Sequence, residues 1–94
     1  MIIKMIEKCG SFAEDKDIAR NIRENLIRPI FESSDEVILL DFAGIDSTTQ
    51  SFIHALISDF FQKKGEPALE RFEFKKCSKP VKSLITTVIN YSLE

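Results

Sequence analysis

Ninety-four residues, 44% of them hydrophobic and 30% charged, suffice for a single domain, residues 1–94, and leave little room for an enclosed substrate cavity. A formal charge of −2 with scattered basic residues argues against nucleic acid as the main partner, because phosphate binding needs clustered, excess Lys and Arg. The one local basic run is Lys75, Lys76, Lys79 and Lys82. No stretch approaches the roughly 18 apolar residues of a membrane span, and Met1-Ile2-Ile3-Lys4-Met5-Ile6 lacks the pattern of a secretion signal. No membrane partner is therefore expected. Two cysteines, Cys9 and Cys77, are too few for a disulfide scaffold, so a cytoplasmic location is expected. Both follow predicted strands, which in a parallel sheet would make the thiols near neighbours. They read as small, partly buried hydrophobes, and the chain has none of the further ligands zinc would need.

In chain order, Ile2 to Ile6 predicts a first strand, broken by Gly10. Ser11 and Glu14 have capping-box spacing, so a helix is expected from there. Its apolar stripe is Ile18, Ile22, Leu26 and Ile30 with Ala19, and Pro29 should end or kink it. Phe31 to Glu36 is expected to be a polar connector. Val37-Ile38-Leu39-Leu40-Asp41-Phe42 then predicts a strand whose apolar run does not alternate, implying cover on both faces, as in the inner strand of a parallel sheet.

After Ala43-Gly44, Ser47 and Gln50 form a second capping box. Phe52, Ile53, Leu56, Ile57, Phe60 and Phe61 follow as the broad stripe of the best-buried helix. Lys63-Lys64-Gly65 suits its C-terminal end. Arg71 to Lys75 alternates as a half-buried strand. Ser78 can cap a last helix, with Pro80 tolerated in its first turn and Val81, Leu84, Ile85, Val88 and Ile89 facing inward. The order βαβαβα implies an α/β fold with a small, mostly parallel sheet of three strands, or four, and packed helices. Residues 37 to 42 form its central strand. With so few strands one sheet face is left thinly covered, and a homodimer or another partner would hide it.

In such sheets, partners and ligands meet the strand ends where the following helices begin. The turn to examine is Asp41 to Phe52, which packs four hydroxyls and two carboxylates between a buried strand and a buried helix. Helix capping accounts for about two of these side chains, not for the cluster. His54, the one histidine, lies off the apolar stripe and reads as a surface residue. Asp41 reads as a hydrogen-bond acceptor for the next turn. An enzyme built on Asp41 and His54 is the least supported reading, and nucleotide-cradling and serine-hydrolase motifs are absent.

The stretch Val37-Ile38-Leu39-Leu40-Asp41-Phe42-Ala43-Gly44-Ile45, its Ser/Thr-rich turn and Ser51-Phe52 resemble the central signature of STAS-like domains, relatives of bacterial anti-sigma-factor antagonists. Gly10-Ser11 and Phe72-Glu73-Phe74-Lys75-Lys76-Cys77-Ser78 agree with it, so the resemblance spans most of the chain from about residue 6. It implies a STAS-like fold and a signalling module without enzymatic activity or cofactor. That module binds a protein partner, such as an anti-sigma-factor-like ATPase of histidine-kinase fold, through the 44–52 loop and the following helix.

The partner-binding residues implied are Asp46, Ser47, Thr48, Thr49, Gln50 and Ser51. In that family, phosphorylating a serine in an Asp-Ser-Ser-Gly-like turn releases the partner. A gapless match puts Thr49 at the aspartate, Gln50 at the modified serine, Ser51 at the second serine and Phe52 at the glycine. Glutamine cannot carry phosphate, which leaves Thr49 and Ser51 as the candidate phosphorylation sites. The alternative is a small-ligand or nucleotide sensor using the helix amides after Gly44.

Overall fold

The computed structural model describes all 94 residues. The strands β1 (Ile2–Lys4), β3 (Ile38–Asp41) and β5 (Phe72–Lys75) form a parallel sheet in the order β1-β3-β5. The α/β fold with a central strand inside residues 37–42 is as the periodicity predicts. A second, two-stranded parallel ladder, β2 (Phe12–Ala13) with β4 (Ser47–Thr48), lies beyond the carboxyl ends of the strands and has no counterpart in the sequence reading. Two residues per strand are too few to show a period.

The first strand stops at Lys4, two residues short of expectation, and Met5–Cys9 coils into a short helix, α1. Its end is closed by the Gly10 amide on the Ile6 carbonyl at 3.0 Å. The Ser11–Glu14 capping box does not form. Ser11 lies before β2, and α2 (Lys16–Ile22) is capped instead by Asp15, whose carboxylate accepts the Asp17 amide at 2.9 Å.

Pro29 neither ends nor breaks the helical path. A π-helical turn, Arg23–Ile27, joins α2 to α3 (Arg28–Ser33), with Pro29 in the first turn of α3. The wide turn bonds the Arg28 amide to the Arg23 carbonyl, five residues back. This relocates the carbonyls that the proline ring would otherwise crowd. The extra residue also rotates the apolar stripe. Ala19 and Ile22 are buried before the turn, but Ile27 and Phe31 are the buried residues after it, one position beyond the expected Leu26 and Ile30. Phe31 thus belongs to a helix and to the core, not to a connector.

The long helix α4 (Gln50–Lys64) buries all six residues of its predicted stripe. The Gly65 amide closes it on the Phe61 carbonyl at 2.9 Å, with a positive φ of 69°. A 3-10 helix, Glu66–Arg71, leads into β5, and α5 (Lys79–Ser92) completes the chain. Ser78 Oγ accepts the Val81 amide at 3.4 Å, as expected of the cap. Deep between α4 and α5, Ser92 Oγ donates to the Val88 carbonyl at 2.7 Å and lies 3.0 Å from Ser58 Oγ, so this buried polar pair is satisfied.

Register decides which sheet face is inside. Ile3, Leu40 and Phe74 are cross-strand partners and share a face with Ile38 and Phe72. Four of these five are buried, with Phe74 half-buried at the edge. The opposite face carries Ile2, Leu39 and Glu73 in one row and Lys4, Asp41 and Lys75 in the next. Only Leu39 and Asp41 there are even half-buried. The expectation of two covered faces is therefore corrected: Val37 is 39% exposed. One bare face is the cost of three strands with all the long helices on one side. Cys9 and Cys77 are half-buried with both thiols unpaired, as expected of small, partly buried hydrophobes.

Candidate functional site

The loop after β3 is held at several points. Gly44 takes φ 83°, a left-handed conformation, and its Cα lies against the Ile6 side chain of α1. Ile45 is buried, with its amide on the Phe42 carbonyl at 3.0 Å. The Asp46 amide donates to the Ser11 carbonyl at 2.8 Å, and Ser78 Oγ donates to the Asp46 carbonyl at 3.3 Å. The loop is thus tied to the β2 approach on one side and the start of α5 on the other. Asp41 Oδ1 accepts the Ala43 amide at 2.9 Å, the structural duty expected of it.

Of the six residues singled out from sequence, the structure divides them by exposure. Thr48 is buried and its hydroxyl donates to the Ala13 carbonyl at 2.6 Å. Thr49, not Ser47, is the N-cap of α4, its Oγ1 accepting the Phe52 amide at 3.1 Å. The Ser47–Gln50 capping box is therefore replaced by a single Thr49 cap, because Ser47 and Thr48 are held in the ladder with β2. Ser47 is half-buried, whereas Asp46, Gln50 and Ser51 are exposed. The presented polar edge is Asp46, Gln50 and Ser51.

Two apolar residues border it that the sequence reading passed over. Phe12 is the cross-strand partner of Ser47 and is 48% exposed; Ile6, against Gly44, is 41% exposed. Exposed apolar side chains beside hydroxyls are the composition of a contact surface. The available signal was Phe12 itself, an aromatic between the Gly10-Ser11 turn and the capping Asp15, off the helical stripe.

Beside the loop, a groove of about 500 Å³ runs between α2 and α4, lined by Lys16, Arg20, Arg23, Gln50, Ser51 and His54. Its cations are partly engaged: Arg20 pairs with Asp17 at 2.6 Å, and Arg23 with Glu24 at 2.8 Å and the Ala55 carbonyl at 2.9 Å. His54 is exposed on this groove, and Asp41 does not line it. No cluster of three His, Cys, Asp or Glu side chains is placed to hold a metal ion. Burial raises both thiols above the ordinary cysteine range; at Cys77, Lys82 opposes this and Asp41 reinforces it. Neither is an activated thiolate. No helix is long and apolar enough to cross a membrane.

Residues 19–82 match the family described as STAS-like domain of unknown function (DUF4325). The match covers more than half of the chain and takes in the 44–52 loop, α4, β5 and the first turn of α5. The chain belongs to this STAS-like family. No curated protein and no solved structure matches it.

Proposed function

We propose that this chain is a regulatory, non-enzymatic interaction module that binds a protein partner at the end of β3 and the start of α4. The observation that carries the reading is the braced loop, which sets Asp46, Gln50 and Ser51 in solvent next to the exposed Phe12 and Ile6. A surface held this firmly loses little conformational entropy on binding. STAS-like membership supports a partner of the histidine-kinase-like ATPase class, and the two unpaired cysteines support a reducing cytoplasm. Ser51 is the candidate modification site, being exposed on the first turn of α4 with no side-chain hydrogen bond in the chain. Thr49 is a poorer one, since a phosphate there would displace the cap.

Partners captured from native cells on wild-type chain, on Ser51→Glu and on Phe12→Ser test the reading, with mass spectrometry naming the partner and any phosphate. A partner retained by wild type and lost by both variants is expected, with unfolding free energies within about 0.5 kcal/mol of wild type. Equal capture by all three would remove this surface from consideration. The sensor reading rests on the polar groove beside Gln50 and Ser51, since the amides of Ile45 and Asp46 are already used within the chain. Saturable thermal stabilisation by a nucleotide, lost in Arg20→Ala, would favour it instead.

A further inference from the structure

The charge of this chain is unevenly divided. From Phe74 to Leu93 there are four lysines and no carboxylate, which leaves nine cationic against fifteen acidic side chains elsewhere, a balance of −6. Lys75, Lys76, Lys79 and Lys82 are all exposed. Lys75 alone reaches a carboxylate, Glu73 at 4.0 Å. Elsewhere Arg20 pairs with Asp17, Arg28 with Glu24 and Lys63 with Asp59, while Lys8, Lys16 and Lys64 stand apart from one another on separate helices without an ion pair. In α5, Lys79 and Lys82 stand unpaired in the first turn, where the helix dipole opposes cations. That arrangement costs stability. Lys4 adds a further cation to the same end of the sheet, in register with Asp41 and Lys75. The carboxylates at this end include exposed Glu7, Glu14, Asp15, Asp46 and Glu73, and Asp41, which is half-buried and bonded to the Ala43 amide.

We propose that the start and outer face of α5 dock an acidic segment of a protein partner. This goes beyond the loop reading and stands on different residues. The grooves of about 660, 520 and 500 Å³ are lined by residues other than these lysines. Pro80 withholds one of the helix amides that would cradle a small anion. An extended acidic ligand fits the open face. It would meet lysines first and then the carboxylate-free polar surface of Ser83, Thr86 and Asn90. A long nucleic acid would run onto the −6 remainder of the chain.

The experiment measures anisotropy of a labelled Glu/Asp-rich peptide of about a dozen residues, at low and near-physiological salt, where the screening length is about 8 Å. A single-stranded oligonucleotide of equal length and vesicles of phosphatidylcholine with phosphatidylserine are run in parallel. Saturable peptide binding is expected, weakened by salt and reduced roughly tenfold or more in Lys79→Glu/Lys82→Glu. That variant should melt at a slightly higher temperature than wild type, because acidic residues suit a helix start. Lys16→Glu/Lys64→Glu should bind the peptide as wild type does. Absence of saturable binding at low salt, equal affinity in the α5 variant, or tighter binding to oligonucleotide or vesicle would each overturn the proposal. Ser51→Glu should leave peptide affinity unchanged, so failure of the loop reading and failure of this one are separable.

Discussion

The two ends of the sheet are built from different chemistry. At the amino end, Phe72 of β5 packs among Phe31, Phe60 and Phe61, with ring centroids 5.6–5.9 Å away. Two guanidiniums close over this cluster: Arg28 lies 4.9 Å from the Phe60 ring and Arg71 4.6 Å from the Phe31 ring. Arg71 also donates to the carbonyls of Phe31, Ile30 and Glu36, satisfying the C-terminal end of α3. At the carboxyl end, short loops and a two-residue ladder carry exposed hydroxyls, Phe12, Ile6 and the lysines of α5. One end uses its aromatic and cationic side chains on itself; the other buries Phe42 and Phe52 but leaves Phe12 and the lysines of α5 in solvent. The difference teaches that an aromatic count says little about binding until the surroundings of each ring are known.

Breaking the amino end should have the largest effect. Phe60→Ala removes a ring that touches Phe31, Phe72 and Arg28, and should cost about 3–5 kcal/mol in urea unfolding. Arg71→Met should cost about 2 kcal/mol by stranding carbonyls of α3 and the following turn, and Arg71→Lys should recover little, since one ammonium nitrogen cannot span the carbonyls that Nε, Nη1 and Nη2 reach separately.

At the carboxyl end, Gly44→Ala should cost about 1–2 kcal/mol, because φ 83° is disfavoured for any residue with a Cβ. The new methyl would also collide with the flexible tip of Ile6. Adding Ile6→Ala should return the steric part and not the backbone part, which a double-mutant cycle would resolve.

The smallest effect is acid sensitivity of the Arg28 network. Hydrogen bonds from Arg23 and Arg28 hold Glu24 below the ordinary carboxylate range, and Arg28 with Lys63 does the same for Asp59. Carboxyls depressed in the folded chain contribute fully at neutral pH, and that contribution fades as pH falls below about 4 towards their folded values. These groups are largely solvated, so the gap between wild type and Arg28→Met should narrow on acidification by less than about 1 kcal/mol. A pH-independent gap would assign Arg28 to its packing on Phe60 alone.

The α4 stripe, the Ser78 cap and the central strand were legible because each has a period or a cap of its own. The π-helical turn was not, since it follows from Pro29 being carried through a helix by tertiary packing, and it moved burial from Leu26 and Ile30 to Ile27 and Phe31. The candidate loop was legible as a cluster of hydroxyls, but not its division into a buried Thr48, a capping Thr49 and a presented Ser51. That division needed the β2–β4 ladder, a pairing across 35 residues with no local signature.

Sequence alone determined the order of the three sheet strands and the long helices, the apolar faces of α4 and α5 and the unequal distribution of charge, because these depend on neighbours within a few positions. Tertiary structure decided which sheet face stays bare, which hydroxyls reach solvent, and that Phe12 lies beside Ser47. Those outcomes depend on contacts between distant segments, whose register no local pattern encodes.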